Sequence, residues 1–183
     1  MSYIVHTIDS APAGSKEVLA GAQKSLGFIP NLYAVMSEAP ALIKAYAFIS
    51  KIFEETSLSA TERQVVLLTT SYENNCEYCV AAHSVIAGMQ KVPGDVVDAI
   101  RAGRPIADPK LEALRKFTAA VVGSRGWPPE AASAAFLDNG YDRQQALEVV
   151  LGVGLKTLSN YANHLAETPL DKAFDPATWS KAA

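Results

Sequence analysis

Cysteine is the scarcest chemistry-bearing residue in this chain: two in 183 residues, Cys76 and Cys79. That is too few for a disulfide-stapled scaffold. No apolar run approaches the length of a membrane span, and the N-terminus, MSYIVHTIDSAPAGSK, lacks a basic segment followed by a long apolar stretch. These absences predict a cytoplasmic protein that neither crosses nor binds a membrane. An excess of basic residues is missing too: 16 Lys and Arg stand against 19 Asp and Glu, and no basic cluster occurs. The electrostatic footprint expected of a nucleic-acid partner is therefore absent. Strand signals are few. What is present is 49% hydrophobic residues, enough for one domain of this length to build a sizeable core.

The apolar residues recur at helical spacing between well-marked stops. Helices are expected over Ser15 to Leu26 with Ser15 as cap and Gly27 as stop, Asn31 to Ser37, and Ala41 to Glu55 after Pro40. On the last of these Leu42, Ala45, Tyr46, Ile49, Ile52 and Phe53 lie on one side. Ser59 with Glu62 forms a capping-box pattern opening a helix through Thr70. The run Val65 to Leu68 could be a strand, but the helix start before it favours helix. Further helices are expected over Gly94 to Ala102, Lys110 to Ser124, Glu130 to Asp138, and Arg143 to Glu167 behind Asp142. The result is an all-α fold in a single compact domain over 1–183, with a core about 41–90 and a second helical half about 109–167. Tyr3 to Ile8 reads as an extended lead-in. Trp179, in the tail, looks exposed and could pack on a neighbouring subunit or on the core. Leu58 to His83 and Tyr141 to His164 share a pattern that hints at a diverged repeat.

Chemistry concentrates in LSATERQVVLLTTSYENNCEYCVAAHSVIAGMQ, Leu58 to Gln90. Asn74 and Asn75 supply a cap-forming residue type before Cys76, and the apolar residues after it run without proline to Pro93, so a helix is expected with Cys76 in its first turn. Offsets of three and four then put Cys76, Cys79 and His83 on one face. A helix N-terminus and an imidazole one turn away both favour thiolate. Two sulfurs so spaced make a two-electron device, one attacking a peroxide or disulfide and the other resolving the product. Zinc is poorly served, because the remaining histidines, His6 and His164, lack ligand spacing. Burial as small hydrophobes explains one cysteine but not a pair sharing a face with a histidine. In SNYANH, Ser159 to His164, the polar groups either line the redox pocket or a subunit contact, or satisfy the helix end.

The run ENNCEYCVAAHS, Glu73 to Ser84, resembles the signature of the AhpD-like alkylhydroperoxidases within the carboxymuconolactone decarboxylase family. The likeness extends to GFIPNLYAVMSEAPALIKAY, Gly27 to Tyr46, and to TLSNYANHLAETPLD, Thr157 to Asp171. The resemblance implies an AhpD-like helical bundle forming trimers or hexamers, with Cys79 as attacking thiolate, Cys76 as resolving thiol and His83 in a proton relay. It also implies hydroperoxide reduction, or delivery of electrons to a peroxiredoxin, with a lipoyl protein or a thioredoxin-like thiol as donor and no metal or other cofactor. Two positions depart from the pattern. Gln64 stands where family members commonly carry a glutamate, and it cannot take a proton near neutral pH, which leaves Glu62 and Glu73 as nearby carboxylates. Tyr78 stands between the cysteines where the best-known members carry histidine. The alternatives are a decarboxylase of the same family, whose reaction does not need a cysteine pair, and a non-catalytic helical oligomer.

Overall fold

The residue pattern condenses around one helix. The computed structural model describes residues 3–181; positions 1–2 and 182–183, the ends of the expected lead-in and tail, lie outside them. Among the described residues there are nine α-helices: α1 Lys16–Leu26, α2 Asn31–Met36, α3 Pro40–Glu54, α4 Ala60–Glu73, α5 Glu77–Met89, α6 Gly94–Arg101, α7 Pro109–Ser124, α8 Glu130–Asp138 and α9 Arg143–Ala166. Short 3-10 turns occur at Ala13–Ser15 and Lys172–Ala177. No strand is present among the described residues, in agreement with the all-α expectation.

α4 is the axis. Every residue from Gln64 to Ser71 is buried, and a helix apolar on all sides needs neighbours on all sides. It packs against α7, α5, α9 and α6. Val65 to Leu68 are helical, because the Ser59–Glu62 capping box closes as expected: the Ser59 hydroxyl accepts from the Glu62 N–H and the Glu62 carboxylate accepts from the Ser59 N–H. α9 crosses α4 at Gly152, where a Cβ would come within 2.7 Å of Val66 Cγ1 and 2.8 Å of Phe53. The glycine therefore sets how closely α9 and the residues beyond it approach the centre. Asp142 caps α9 through a second reciprocal box with Gln145.

Several expectations need correction. Ser15 stands at the start of α1, but its buried hydroxyl donates to the Ser37 carbonyl at 2.6 Å instead of capping the helix. The inward face of α3 centres on Ile43, Tyr46 and Phe53; Ala45 and Ile52 are exposed, because α9 and α1 cover a face rotated from the one apolar spacing suggests. The lead-in does run without helix or turn over residues 3–7, but turns from Ile8, and it is held to the body by His6 Nε2, 2.7 Å from the Glu38 carboxylate. Trp179 is buried, donating from Nε1 to the Arg101 carbonyl at 2.8 Å and packing on Tyr72, so the tail closes on this chain's own core. The two stretches read as a repeat differ: the first breaks into α4 and α5, whereas the second is continuous α9.

Candidate functional site

The site begins where α4 stops. Asn74 ends α4 in helical conformation and Asn75 takes φ +54°, a left-handed conformation that asparagine tolerates better than most residues. The asparagines therefore terminate α4 and do not cap α5. Cys76 itself occupies the N-cap position of α5, one residue before the expected first turn, with its N–H donating to the Ser71 carbonyl at 2.9 Å. The Asn74 amide donates to Asn160 Oδ1 at 2.9 Å, and Asn160 in turn donates to Ser71 Oγ at 3.4 Å, which ties α9 to the break.

Cys76 and Cys79 are free thiols, both buried. One side chain spans them: Asn163 Nδ2 lies 3.2 Å from Cys79 Sγ and 3.8 Å from Cys76 Sγ. Ser159 Oγ, one turn before Asn163 on α9, is 3.9 Å from Cys79 Sγ. The two sulfurs differ in acidity. The hydrogen bond with Cys79, together with burial, pushes the Cys76 thiol up. Burial alone would push Cys79 up as well, but the hydrogen bond from Cys76, the Lys156 ammonium and the polar side chains of Asn160 and Ser159 outweigh it and hold Cys79 well below the ordinary thiol range. The thiolate that accepts these bonds is the nucleophilic form.

His83, one turn beyond Cys79, makes its hydrogen bonds to Lys156 and Gln64 rather than to either sulfur. Its Nε2 is 3.0 Å from Lys156 Nζ and its Nδ1 is 3.0 Å from Gln64 Oε1. An ammonium has only donors, so Nε2 accepts, Nδ1 carries the proton, and Nδ1–H donates to Gln64. Burial first and the Lys156 charge second hold His83 well below 6.5, so the ring is neutral. Gln64 passes the chain on, donating from Nε2 to Gln90 Oε1 at 3.0 Å at the protein surface. Neither carboxylate near this stretch joins it. Glu62 is engaged with Ser59 and lies 3.2 Å from Lys110 Nζ, while Glu73 is half-buried at the end of α4, nine residues beyond Gln64.

Lys156 is the residue that the sequence reading missed. It is 1% exposed and belongs with Ser159, Asn160 and Asn163 to one face of α9, at offsets of three, four and seven. Its signal was a lone cation inside the apolar run VVLGVGLKTL, Val149 to Leu158. The SNYANH segment divides by the same periodicity: Ser159, Asn160 and Asn163 turn inward to the thiols, while Tyr161 and His164 face solvent.

Cys79, His83, Lys156 and Gln64 share the wall of a cavity of about 830 Å³. Its other walls are largely apolar and aromatic, with Phe28, Tyr33, Tyr46, Phe53 and Phe174 among them. Tyr78, between the cysteines, braces this wall: its hydroxyl donates to Asp171 at 2.5 Å and accepts from the Leu32 N–H at 3.2 Å. Asp171 also receives the Asn31 N–H, so α2, α5 and the tail are joined at one point. Among the described residues no cluster of three or more His, Cys, Asp or Glu side chains is arranged to hold a metal.

Residues 37–120, from the end of α2 through most of α7, match the model of the carboxymuconolactone decarboxylase family. That match covers 84 of the 183 residues, so the central part of the chain resembles this family, and the all-α fold is AhpD-like. The whole chain is similar to a solved structure described as an alkylhydroperoxidase AhpD core, an uncharacterized peroxidase-related protein from Ralstonia eutropha JMP134, with 22% identity, 94% of this chain and 93% of that one covered, and a TM-score of 0.82. An uncharacterized peroxidase-related protein from Silicibacter sp. TM1040 gives 16% identity, 94% and 93% coverage and a TM-score of 0.79. The debrominase Bmp8, solved as a cysteine-to-alanine variant with 2,3,4-tribromopyrrole, gives 18% identity, 97% and 95% coverage and a TM-score of 0.80. At such identities these are likenesses of fold. No curated protein matches the chain. The family match takes in Gln64, Cys76, Cys79 and His83 but ends before α9, so Lys156 and Asn163 lie outside it.

Proposed function

We propose that this protein is an antioxidant thiol oxidoreductase that reduces organic hydroperoxides through Cys79 and Cys76. The observation that carries this reading is the pair of free thiols held by one amide with their acidities displaced in opposite directions. The Cys79 thiolate attacks the terminal peroxide oxygen; the S–O bond forms, the O–O bond breaks, and the alkoxide leaves as alcohol after taking a proton. Cys76 then attacks the Cys79 sulfenic acid, forming a disulfide and releasing water. A dithiol donor, such as a lipoyl protein or a thioredoxin-like protein, returns two electrons and two protons. His83 and Gln64 act as a neutral hydrogen-bonded brace for the site, in place of the acid-led relay that the resemblance implies. The largely apolar cavity supports an organic hydroperoxide over hydrogen peroxide. A peroxiredoxin disulfide is the other acceptor for the same electrons.

Free thiols fit a reducing, cytoplasmic compartment. What supports a homo-oligomer, a trimer or hexamer, is the row of exposed apolar residues Leu147, Val150, Tyr161 and Leu165 along α9, with Phe48 on α3. The deciding experiment is thiol titration of the reduced protein before and after one equivalent of hydroperoxide, followed by a panel of hydroperoxides with dihydrolipoamide or thioredoxin as donor. Loss of both thiols and their recovery with a dithiol is expected. Unchanged thiols would leave the non-catalytic oligomer or the decarboxylase-like enzyme. Including 2,3,4-tribromopyrrole tests whether the cavity serves a halogenated aromatic instead.

A further inference from the structure

A buried ammonium needs a counter-charge, and Lys156 has none among the carboxylates. It forms no ion pair among the described residues, and its hydrogen bond runs to a neutral ring nitrogen. Leaving a lone charge in a dry interior is costly enough that such groups are paired or neutralised. Lys156 shares the wall of one cavity with Cys79, and Ser159 and Asn163, one and two turns further along the same face of α9, reach the Cys79 sulfur. The anion available to it is that sulfur.

We propose that Lys156 is the charge partner of the redox pair: its ammonium balances the Cys79 thiolate in the resting site and supplies the proton to the oxygen that leaves when the peroxide bond breaks. In the reduced resting state the Cys79 proton resides on Lys156. Attack transfers two electrons from sulfur to the peroxide; the departing alkoxide takes the Lys156 proton and leaves as alcohol, and Lys156 becomes the neutral amine. That amine accepts the Cys76 thiol proton and passes it to the hydroxide expelled when the disulfide closes, giving water. Reduction by a dithiol restores both protons, one to Cys76 and one to the Cys79–Lys156 pair. The charge-partner assignment concerns the thiols alone, whereas the proton step rests on the peroxidase reading above.

The surroundings leave this pair as the ionisable unit. Tyr46 from α3 and Tyr33 from α2 face it, and burial raises both, so they stay un-ionised. From α5 come Cys76, the neutral His83, and Tyr78, behind which Asp171 is already bound. α4 adds the Gln64 amide, and α9 adds the Asn160 and Asn163 amides and the Ser159 hydroxyl, while Arg63 of α4, Glu17 of α1 and Glu54 of α3 line the cavity nearer solvent. The carboxylate that heads the relay implied by the resemblance is replaced by Gln64, and a cation on a different helix takes over the electrostatic work.

The test follows alkylation of Cys79 against pH in the reduced full-length protein, with the label located by fragment mass spectrometry, for wild type, Lys156→Met and Lys156→Arg. Wild-type labelling is expected to stay fast well below the ordinary thiol range. Lys156→Met should slow labelling at about pH 7 by about tenfold or more and recover at about pH 10, because its loss moves the midpoint upward by a unit or more. Lys156→Arg should restore part of the low-pH labelling, which a purely structural role would not predict. A Lys156→Met profile that superimposes on wild type overturns the proposal. If Lys156→Met does not fold, Lys156→Gln decides in its place: the same slowing of Cys79 labelling at about pH 7 is expected, and a profile that superimposes on wild type overturns the proposal. A protein with the Lys156-dependent profile that reduces no hydroperoxide keeps the charge pair and loses the proton step together with the peroxidase reading.

Discussion

Two polar clusters flank the first half of α4, two residues apart in sequence, and they handle buried charge in opposite ways. At Glu62 the carboxylate accepts from the Ser59 N–H and pairs with Lys110 at 3.2 Å; the charge is balanced within the cluster and toward solvent. At Gln64 the helix presents a neutral amide to a neutral imidazole, which in turn meets an unpaired, fully buried ammonium. The first cluster is a helix cap with its charge satisfied. The second leaves a positive charge without a carboxylate partner, in a cavity wall that it shares with the Cys79 sulfur. Charge balance, more than residue type, separates the structural cluster from the chemical one.

The largest effect expected from this contrast is on the sulfur itself. Cys79→Ser should abolish reaction with hydroperoxide, whereas Cys76→Ser should still permit one attack, leaving a sulfenic acid on Cys79 that a dimedone-type reagent traps and mass spectrometry locates. A trapped sulfenic acid on Cys76 in the Cys79→Ser protein at the wild-type rate would reverse the roles. Next comes the packing that brings the second cluster together. Gly152→Ala pushes against Val66 and Phe53 and should cost about 1–3 kcal/mol in denaturant unfolding, while slowing Cys79 alkylation by displacing Lys156, one turn along the helix.

Glu62→Gln breaks the comparison at its other end. It removes the charge from the capping box and the Lys110 pair, and a loss of about 1 kcal/mol in unfolding is expected with Cys79 alkylation unchanged. A change in thiol reactivity would show that the two clusters are coupled. The smallest effect is a slope. His83 is held well below 6.5 in the folded protein, so between its folded value and 6.5 the unfolded chain binds a proton that the folded chain does not. Its contribution to stability is complete above about 6.5 and is lost as pH falls toward the folded value. Melting temperature should therefore drop more steeply below about pH 6.5 in wild type than in His83→Gln, with the Cys79 contribution common to both. Equal slopes would place the proton on His83 in the folded state.

The legible part of the molecule follows a physical division. Ser59 with Glu62, Asp142 with Gln145, Gly27 and Gly140 act on backbone groups within a few residues, and so the helices begin and end close to where the sequence places them. The C-x-x-C pair with His83 at helical spacing is equally local, and both cysteines with their histidine do lie along the start of one helix. Asn74 and Asn75 were misread because a helix stop and a helix start drew on the same residue type within two positions.

What the sequence determined by itself was the all-α class, the order and extent of the helices, and the presence of two sulfurs close together at a helix start, since each depends on neighbours in the chain. Tertiary structure alone decided what those sulfurs face. Asn163 arrives from 84 residues beyond Cys79 and Lys156 from 73 beyond His83, and which face of α9 turns inward depends on the close approach at Gly152. Periodicity marks a face as polar or apolar but carries no information about the helix it will meet. The partners of the His83 ring, the state of its proton and the polar side chains that reach Cys79 therefore depend on how α4, α5 and α9 come together.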